Sequence, residues 1–409
     1  FITTESGSLD YIHEKKSNKE KGSIRVSENG EITLEAELKS VKGRGNSFAE
    51  ARKKSYNIKF EEKQSLFGME PAKKWSLVAC YLDAALFKWQ LGFDLAQYMG
   101  INCACEYSPA ELYINGEYRG MDRKVHKAEG FERYTYFSTW DVFRAAFPLY
   151  NMIAADKMHD FLESMLSICR EGGKLPRWEL AGNETECMIG FNAVSMVADA
   201  FVKGIIPDNR KEDYYKAMTA TADFPDTGYG LLKKYHYIPY EEDNACVSKT
   251  LELAYDSWCI ATVAKALGHT DDYKEYIRRA QYWKNIFDTR SGFMKPRNEY
   301  EWAPGFVPTD ISCHFTEANS WQYSFFTPQD IAGHIKLIGG TARYNAKLDS
   351  LFTAQTPDGE ETLQDVTGLI GQYAHGNEPS HHVAYLYDFS GQPWKTQKLT
   401  RRICRELHW

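Results

Sequence analysis

No run of about 18 consecutive apolar residues occurs in the 409-residue chain, so no membrane-spanning helix is expected. A basic excess is missing as well. Lysine and arginine total 49 against 56 aspartates and glutamates, giving a net charge of -7 and a pI near 5.9. That balance argues against a general nucleic-acid binder, which carries a basic footprint; the local basic stretch EKKSNKEKGSIR reads as a solvated arm. Cysteine is sparse, with nine scattered along the chain. Cys103 and Cys105 form a C-x-C, and no second pair at zinc-like spacing accompanies them, so a metal-thiolate site is not expected. Most cysteines read as small buried hydrophobes, Cys259 on an apolar helix face among them. A fixed repeat of the tetratricopeptide kind is also lacking, which disfavours a solenoid. The opening FITTESGSLDY has neither an initiating Met nor a signal-peptide pattern. It reads as a mature form or a fragment and leaves the compartment open.

Aromatic residues, by contrast, are plentiful: 10 Trp, 26 Tyr and 22 Phe make 14% of the chain. Flat apolar faces beside hydrogen-bonding groups suit a sugar cleft, and an aromatic core accounts for the same excess. Hydrophobic content of 43% is ample for a core, and 26% charged residues is ordinary. The length allows two or three domains, or one large helical ring.

Along the chain the hydrophobic period changes once. EITLEAELK and KSYNIKF alternate as strands, with SENG as a turn signal. WSLVACY (75–81) reads as a buried strand, ALFKWQLGFDLAQYMG as an amphipathic helix closed by Gly100, and AELYINGEYRG as a hairpin around Asn115-Gly116. From about Met121 helical spacing takes over. Leu149, Met152, Ile153, Phe161, Leu162, Met165 and Leu166 form one run that Gly172 stops. AVSMVADAFVKG follows, then LELAYDSWCIATVAKALG, where Leu251, Tyr255, Trp258 and Thr262 share a stripe. YKEYIRRAQYWKNIF and PQDIAGHIKLIGG continue the scheme. The loops between helices are long and too aromatic for disorder. The expected fold is mainly α: an (α/α) toroid, an incomplete six-hairpin barrel over 121–409, after a small α+β segment over 1–120.

Four loop stretches combine a carboxylate with amide, imidazole or indole groups at helix boundaries: FSTWDVFR (137–144), PRWELAGNETECMIG (176–190), HFTEANSWQYSFF (314–326) and GQYAHGNEPSHH (371–382). Any one of them can be structural, with Trp140 and Trp178 in the core, Asp141 as a helix cap and Glu179 in an ion pair. All four together point to a site, because buried polar clusters need partners for every member. Glycoside hydrolysis needs two carboxyl groups astride the scissile bond, roughly 6.5–9.5 Å apart when a water attacks directly. One stays protonated near neutrality, which an apolar pocket arranges by raising its pKa. Glu317, between Phe315 and Trp321, fits that acid. Glu378, flanked by His375, His381 and His382, is the runner-up and suits a sugar hydroxyl or a metal better.

YRGMDRKVHKAEGFERYTYFSTWDVFRAAFPL, WELAGNETECMIG, HFTEANSWQYSFFTPQD and GLIGQYAHGNEPSHHVAYLYDFSGQPWKTQ resemble the catalytic domain of glycoside hydrolase family 92, from about Tyr118 to the C-terminus. The resemblance implies a calcium-dependent, inverting exo-α-mannosidase acting on terminal, α-1,2-linked mannose of oligosaccharides or glycoprotein glycans, in a periplasmic or secreted setting. It implies Glu317 as general acid and Glu378 as the second carboxylate of the site. Trp140, Asp141, Arg144, Trp178, Glu179, Asn183, Glu184, Trp321, His375 and His381 would line the mannose subsite or the calcium shell. Asn377 and Glu378 would reach calcium, which takes oxygen ligands from carboxylates and amides. Family members also carry an N-terminal β-sandwich and a later Asn-Glu-Asp-x-Gly-type segment with the general base. Neither has a counterpart in this text, nor do the last helices of the ring, so little or no activity, or mannose binding without hydrolysis, is expected of these 409 residues.

Residues 1–120 resemble something else. KGRGNS and KKSYNIKF are similar to the N-terminal part of CotH-type, spore coat protein kinase-like domains. That likeness implies nucleotide-phosphate contacts for Lys42, Arg44 and Lys54; a plain basic strand-turn-strand surface fits the same residues. LYINGEYRG belongs with the kinase-like text and YRGMD with the mannosidase text, so two modules meet over one shared YRG.

Overall fold

The structure is a computed structural model that describes residues 1–28, 31–45, 54–79, 107–108, 112, 116–180, 182–225, 228–355 and 366–407. The expected helix ending at Gly100, Asn115, Cys103 and Cys105 lie outside the described residues. The chain divides into two compact units, Phe1–Arg119 with Val125–Gly130, and Gly120–Lys124 with Phe131–Trp409.

In the first unit, β1 (Ile2–Thr4), β2 (Lys19–Glu28), β3 (Glu31–Arg44), β4 (Ser55–Gln64) and β5 (Ala72–Leu77) form an antiparallel meander in that order. Alternation decides which face is inside: Tyr56, Ile58 and Phe60 on β4 are buried while their neighbours are not. The short helix α1 (Asp10–Glu14) adds Ile12, which has no exposed surface. His13 Nε2 and the Tyr56 hydroxyl are 2.8 Å apart. The alternating stretches read from the sequence are β3 and β4. WSLVACY departs from the expectation. Its strand spans Ala72–Leu77, begins with exposed Lys73 and Lys74 and leaves Trp75 half-buried, as an edge strand that discourages further pairing does. Lys42 and Arg44 alternate with buried Val41 and Gly43, so they lie on the face of β3 away from the core, Lys42 exposed and Arg44 half-buried. Lys54, just before β4, is half-buried, and its charge helps hold His13 below the usual imidazole range, behind the larger effect of burial.

The second unit is mainly helical, around one continuous apolar core. Its longer helices are α2 (Ala155–Gly172), α3 (Ala193–Val202), α4 (Lys211–Asp223), α5 (Cys246–Leu267), α6 (Thr270–Arg279), α7 (Thr341–Leu351) and α8 (Pro393–Glu406). The single run expected from Leu149 is two helices, because the chain breaks at Ala154 (φ −140°). Leu149, Met152 and Ile153 consequently stand 49%, 73% and 71% exposed instead of joining the core, while Leu162, Met165 and Leu166 do join it. α2 stops at Gly173, which takes the left-handed φ of +86° that favours glycine.

α5 is the central helix, packed against α3, α4 and α6. Its expected apolar stripe is inverted. Apart from Leu251, the stripe residues Tyr255, Trp258 and Thr262 are among the less buried positions, whereas Glu252 and Asp256 have no exposed surface. Asp256 accepts the Phe191 amide N–H at 2.8 Å, so it holds the entry to α3. A helix covered on nearly every side has no outer stripe for the period to reveal.

Candidate active site

The loop 314–326 is held before it reaches α-helical form. The Thr316 amide donates to Ser248 Oγ on α5 at 2.9 Å. Asn319 then caps the short helix Ser320–Tyr323 with a reciprocal box: its Oδ1 accepts from the Trp321 and Gln322 amides, and Gln322 Oε1 accepts the Asn319 amide at 3.0 Å. Between these ties Glu317 adopts φ +48°, a left-handed conformation uncommon for a residue with a side chain. Its carbonyl accepts the Asn377 side-chain amide at 2.7 Å. The backbone of the proposed acid is therefore fixed from both neighbouring loops.

The loop 371–382 is built on a two-residue turn between Leu369–Ile370 and Tyr373–Ala374. Gly371 has φ +62°, and a Cβ there would overlap the Phe352 carbonyl carbon and the Leu351 oxygen. Only glycine fits this turn without displacing backbone. Gln372 follows, and its side-chain oxygen accepts from Asn319 Nδ2 at 2.8 Å while its carbonyl accepts from Gln322 Nε2 at 3.1 Å. Three amides thus knot the two loops together. Farther on, His381 Nε2 lies 3.1 Å from the His375 carbonyl and His375 Nδ1 lies 2.8 Å from the Tyr373 hydroxyl. His382 Nε2 meets the Phe325 carbonyl at 2.9 Å, and burial pushes that imidazole down to about 4, so it is neutral at physiological pH.

The third segment supplies Asp141. Burial, then the charge of Glu378, a hydrogen bond to the Glu378 carboxyl and the charge of Glu317 push Asp141 from its ordinary 3.8 up to about 6; Arg144 pulls the other way. Three carboxyl groups from loops far apart in sequence therefore share one neighbourhood. Like charges so placed favour the protonated form of Asp141. His381 joins them: burial lowers its pKa, against the charge of Glu378. Titrated by side-chain NMR, Asp141 is expected to show a midpoint near 6, and Glu378→Gln is expected to return it towards the ordinary aspartate range. A midpoint at the ordinary value in the unsubstituted chain contradicts the crowding of these carboxyl groups.

Arg144 only partly offsets the charge of this trio, because it is also paired with a buried carboxylate. Its Nη2 donates to Glu252 Oε1 at 2.8 Å, with 6% and 0% of the two side chains exposed. Its guanidinium carbon lies 4.6 Å from the Phe143 ring centroid and 5.0 Å from those of Trp140 and Phe326. Trp140 is fully buried and donates its indole N–H to the same Glu252 oxygen at 3.2 Å. It is a floor beneath the site, not a face for a sugar to stack on.

In the hairpin Trp178–Leu180/Asn183–Glu184 the carboxylates expected at the sugar are tied to the protein itself. Glu179, with no exposed surface, accepts from Thr135 Oγ1 at 2.8 Å, the Tyr136 amide at 3.1 Å and the Gly182 amide at 2.5 Å. It braces the 135–136 segment and has no surface left for a ligand. Glu184 accepts from the Arg177 and Trp178 amides, both at 2.9 Å, and so closes its own hairpin. Asn183 is exposed and Trp178 half-buried. Trp321 packs edge-on against Phe293 (4.7 Å between centroids), with the Lys347 ammonium 4.4 Å from its ring. Asn377, expected at a metal, spends its amide N–H on Glu317. Sequence reasoning missed Glu252, whose signal was a glutamate in the otherwise apolar LELAYDSW, and the amide knot of Asn319, Gln322 and Gln372. Among the described residues no group of three or more His, Cys, Asp and Glu side chains has the geometry to hold a metal ion by itself.

Comparison with known proteins addresses these loops directly. The model of the glycosyl hydrolase family 92 catalytic domain matches residues 105–408, and that of the CotH kinase protein matches 41–129. The two overlap at 105–129, around the hairpin Glu117–Arg119/Val125–Lys127. A family GH92 α-mannosidase of Bacteroides thetaiotaomicron is 40% identical, with a TM-score of 0.67 over 71% of this chain and 39% of its own. It has also been solved in complex with mannoimidazole. A family GH92 inverting mannosidase of the same organism covers 99% of this chain and 62% of its own at 24% identity and TM-score 0.64, a likeness of fold. An uncharacterized secreted glycosidase of Arthroderma benhamiae is 25% identical over 274 residues, 57% of this chain and 33% of that protein. The chain thus spans about a third to two fifths of the length of the curated relative and the 40%-identical mannosidase. With the catalytic-domain model running through every loop of the acidic cluster, this chain belongs to glycoside hydrolase family 92.

Proposed function

We propose that the helical unit is part of an (α/α) toroid that hydrolyses terminal α-linked mannose, α-1,2 in preference, from oligosaccharides or glycoprotein glycans by single displacement. The observation that carries this reading is the convergence of Asp141, Glu317 and Glu378 beside an arginine already paired elsewhere. Glu317 protonates the departing glycosidic oxygen, and its fixed backbone sets the direction of that proton. Asp141, which burial and its carboxylate neighbours hold protonated up to about pH 6, can present a donor beside the acceptor oxygens of Glu378, the mixture that sugar hydroxyls need. His381 stands beside them as a neutral group that can hydrogen-bond without adding charge.

A calcium ion fits the chemistry of this donor set. Three acidic groups crowd together, and the nearby guanidinium is spoken for, so a hard cation would relieve their repulsion. Protein side chains alone make no closed cage among the described residues. Glu378 and its neighbours would therefore hold the ion in part, with sugar hydroxyls and water completing its shell. Bound there, calcium would grip vicinal hydroxyls and orient the ring. The secreted relative supports work outside the cytoplasm.

Calorimetry with mannoimidazole, and mannose release from α-1,2-mannobiose, test this together. Binding in calcium that weakens at least roughly ten-fold on chelation is expected, and any release, slow in these 409 residues, is expected to be lost with the chelator. Binding without release favours a mannose-holding module, and no binding with or without calcium removes the reading.

A further inference from the structure

We propose that Cys246 and Cys313 close into a reversible disulfide that ties the loop carrying Glu317 to the start of α5. Cys246 is the first residue of that helix and is buried, and Cys313 is exposed. Their backbones run side by side: the Ala245 amide donates to the Cys313 carbonyl at 2.5 Å, and the Val247 amide donates to the His314 carbonyl at 3.2 Å. Hydrogen-bonded neighbours of this sort bring Cα atoms into the roughly 4.4–6.8 Å that a disulfide spans. Both sulfurs also address one atom. Cys246 Sγ lies 3.8 Å and Cys313 Sγ 3.9 Å from His314 Nδ1. Burial raises the Cys246 thiol to about 12, and Cys313 contributes to that rise, as only a near neighbour can. Burial lowers the His314 pKa, which favours the neutral ring, and in the tautomer protonated on Nε2 the Nδ1 between the two sulfurs can accept a thiol proton.

The chemistry is a thiol–disulfide exchange with a small disulfide such as oxidised glutathione. The accessible Cys313 thiol yields its proton to His314 Nδ1, and the thiolate attacks one sulfur of the small disulfide. That disulfide breaks, and the expelled thiolate collects the proton. Cys246, assisted by the same nitrogen, then attacks the Cys313 sulfur of the mixed disulfide and expels the second small thiol. Two protein thiols and one small disulfide become one protein disulfide and two small thiols. The buried, high-pKa Cys246 makes the second step the slow one.

Glu317 lies four residues beyond Cys313, and its loop meets α5 through the Thr316–Ser248 hydrogen bond. A covalent link there holds the same junction independently of that bond. After treatment of the whole chain with oxidised glutathione, alkylation and digestion, mass spectrometry is expected to find the Cys246 and Cys313 peptides joined, two hydrogens lighter than their sum. The link is expected to vanish with dithiothreitol and in Cys313→Ser and Cys246→Ala. Amide exchange across 314–319 is expected to slow in the oxidised chain, and its thermal midpoint to rise by roughly 5–10 °C. Separate alkylation of both cysteines after oxidation, a stable glutathione adduct at Cys313, or pairing of Cys313 with Cys187 or Cys404 overturns the proposal.

Discussion

Glu317→Gln is expected to slow whatever mannose release from α-1,2-mannobiose the protein supports by roughly 10²–10⁴-fold, the range that positioned proton transfer supplies. The substitution keeps the shape of the side chain. It also leaves untouched the two features that fix the residue's backbone, the left-handed φ and the carbonyl that accepts Asn377. A carboxamide cannot give a proton to a departing alkoxide, so the loss should follow the leaving group. A nitrophenyl mannoside, whose phenolate leaves without help, should lose far less. Equal losses on both substrates would assign Glu317 a binding role, and no loss on either would remove it from the chemistry.

Glu252→Ala is the largest expected effect on folding. The variant leaves Arg144, enclosed by Phe143, Trp140 and Phe326, without its ion-pair partner and deprives the Trp140 indole of its acceptor. Removing one member of a buried ion pair costs about 3–5 kcal/mol, mostly for the stranded charge. For a domain of this size that lowers the thermal midpoint by on the order of 10 °C. Glu252→Gln, which keeps an acceptor for both donors, should cost less. The pair as a whole is a different matter. Burial alone pushes Glu252 towards its neutral form, and Arg144 only partly opposes this. Removing both charges, in Arg144→Met with Glu252→Leu, is therefore expected to restore most of the lost stability. Calorimetric unfolding of the three variants decides it; a double variant as unstable as Glu252→Ala contradicts this account.

The fold class and the approximate place where the period changes could be read from the sequence, because amphipathic spacing and turn residues are local. The stretches that carry Asp141, Glu317 and Glu378 stood out too, as text loaded with carboxylates, amides and indoles. What could not be read is which carboxylate stands near other carboxylates and which braces the protein. Glu179 and Glu184 sit in text as suggestive as that around Glu317, yet their oxygens are consumed by Thr135, Tyr136 and the hairpin's own amides. Only partners elsewhere in the chain make the difference, as Arg144 does for Glu252 across 108 positions. The stripe on α5 misled for a related reason. Periodicity locates water, and this helix meets almost none, so its polar residues mark buried partners instead of solvent.

The left-handed twist at Glu317 sets folding and chemistry against each other at a single position. Glycine adopts that φ readily, whereas a side chain there carries a cost on the order of 1 kcal/mol. A library selected only for heat resistance would drift towards glycine at 317, and one selected for sugar release would drift back. Sequences sampled from the two selections would differ most at position 317.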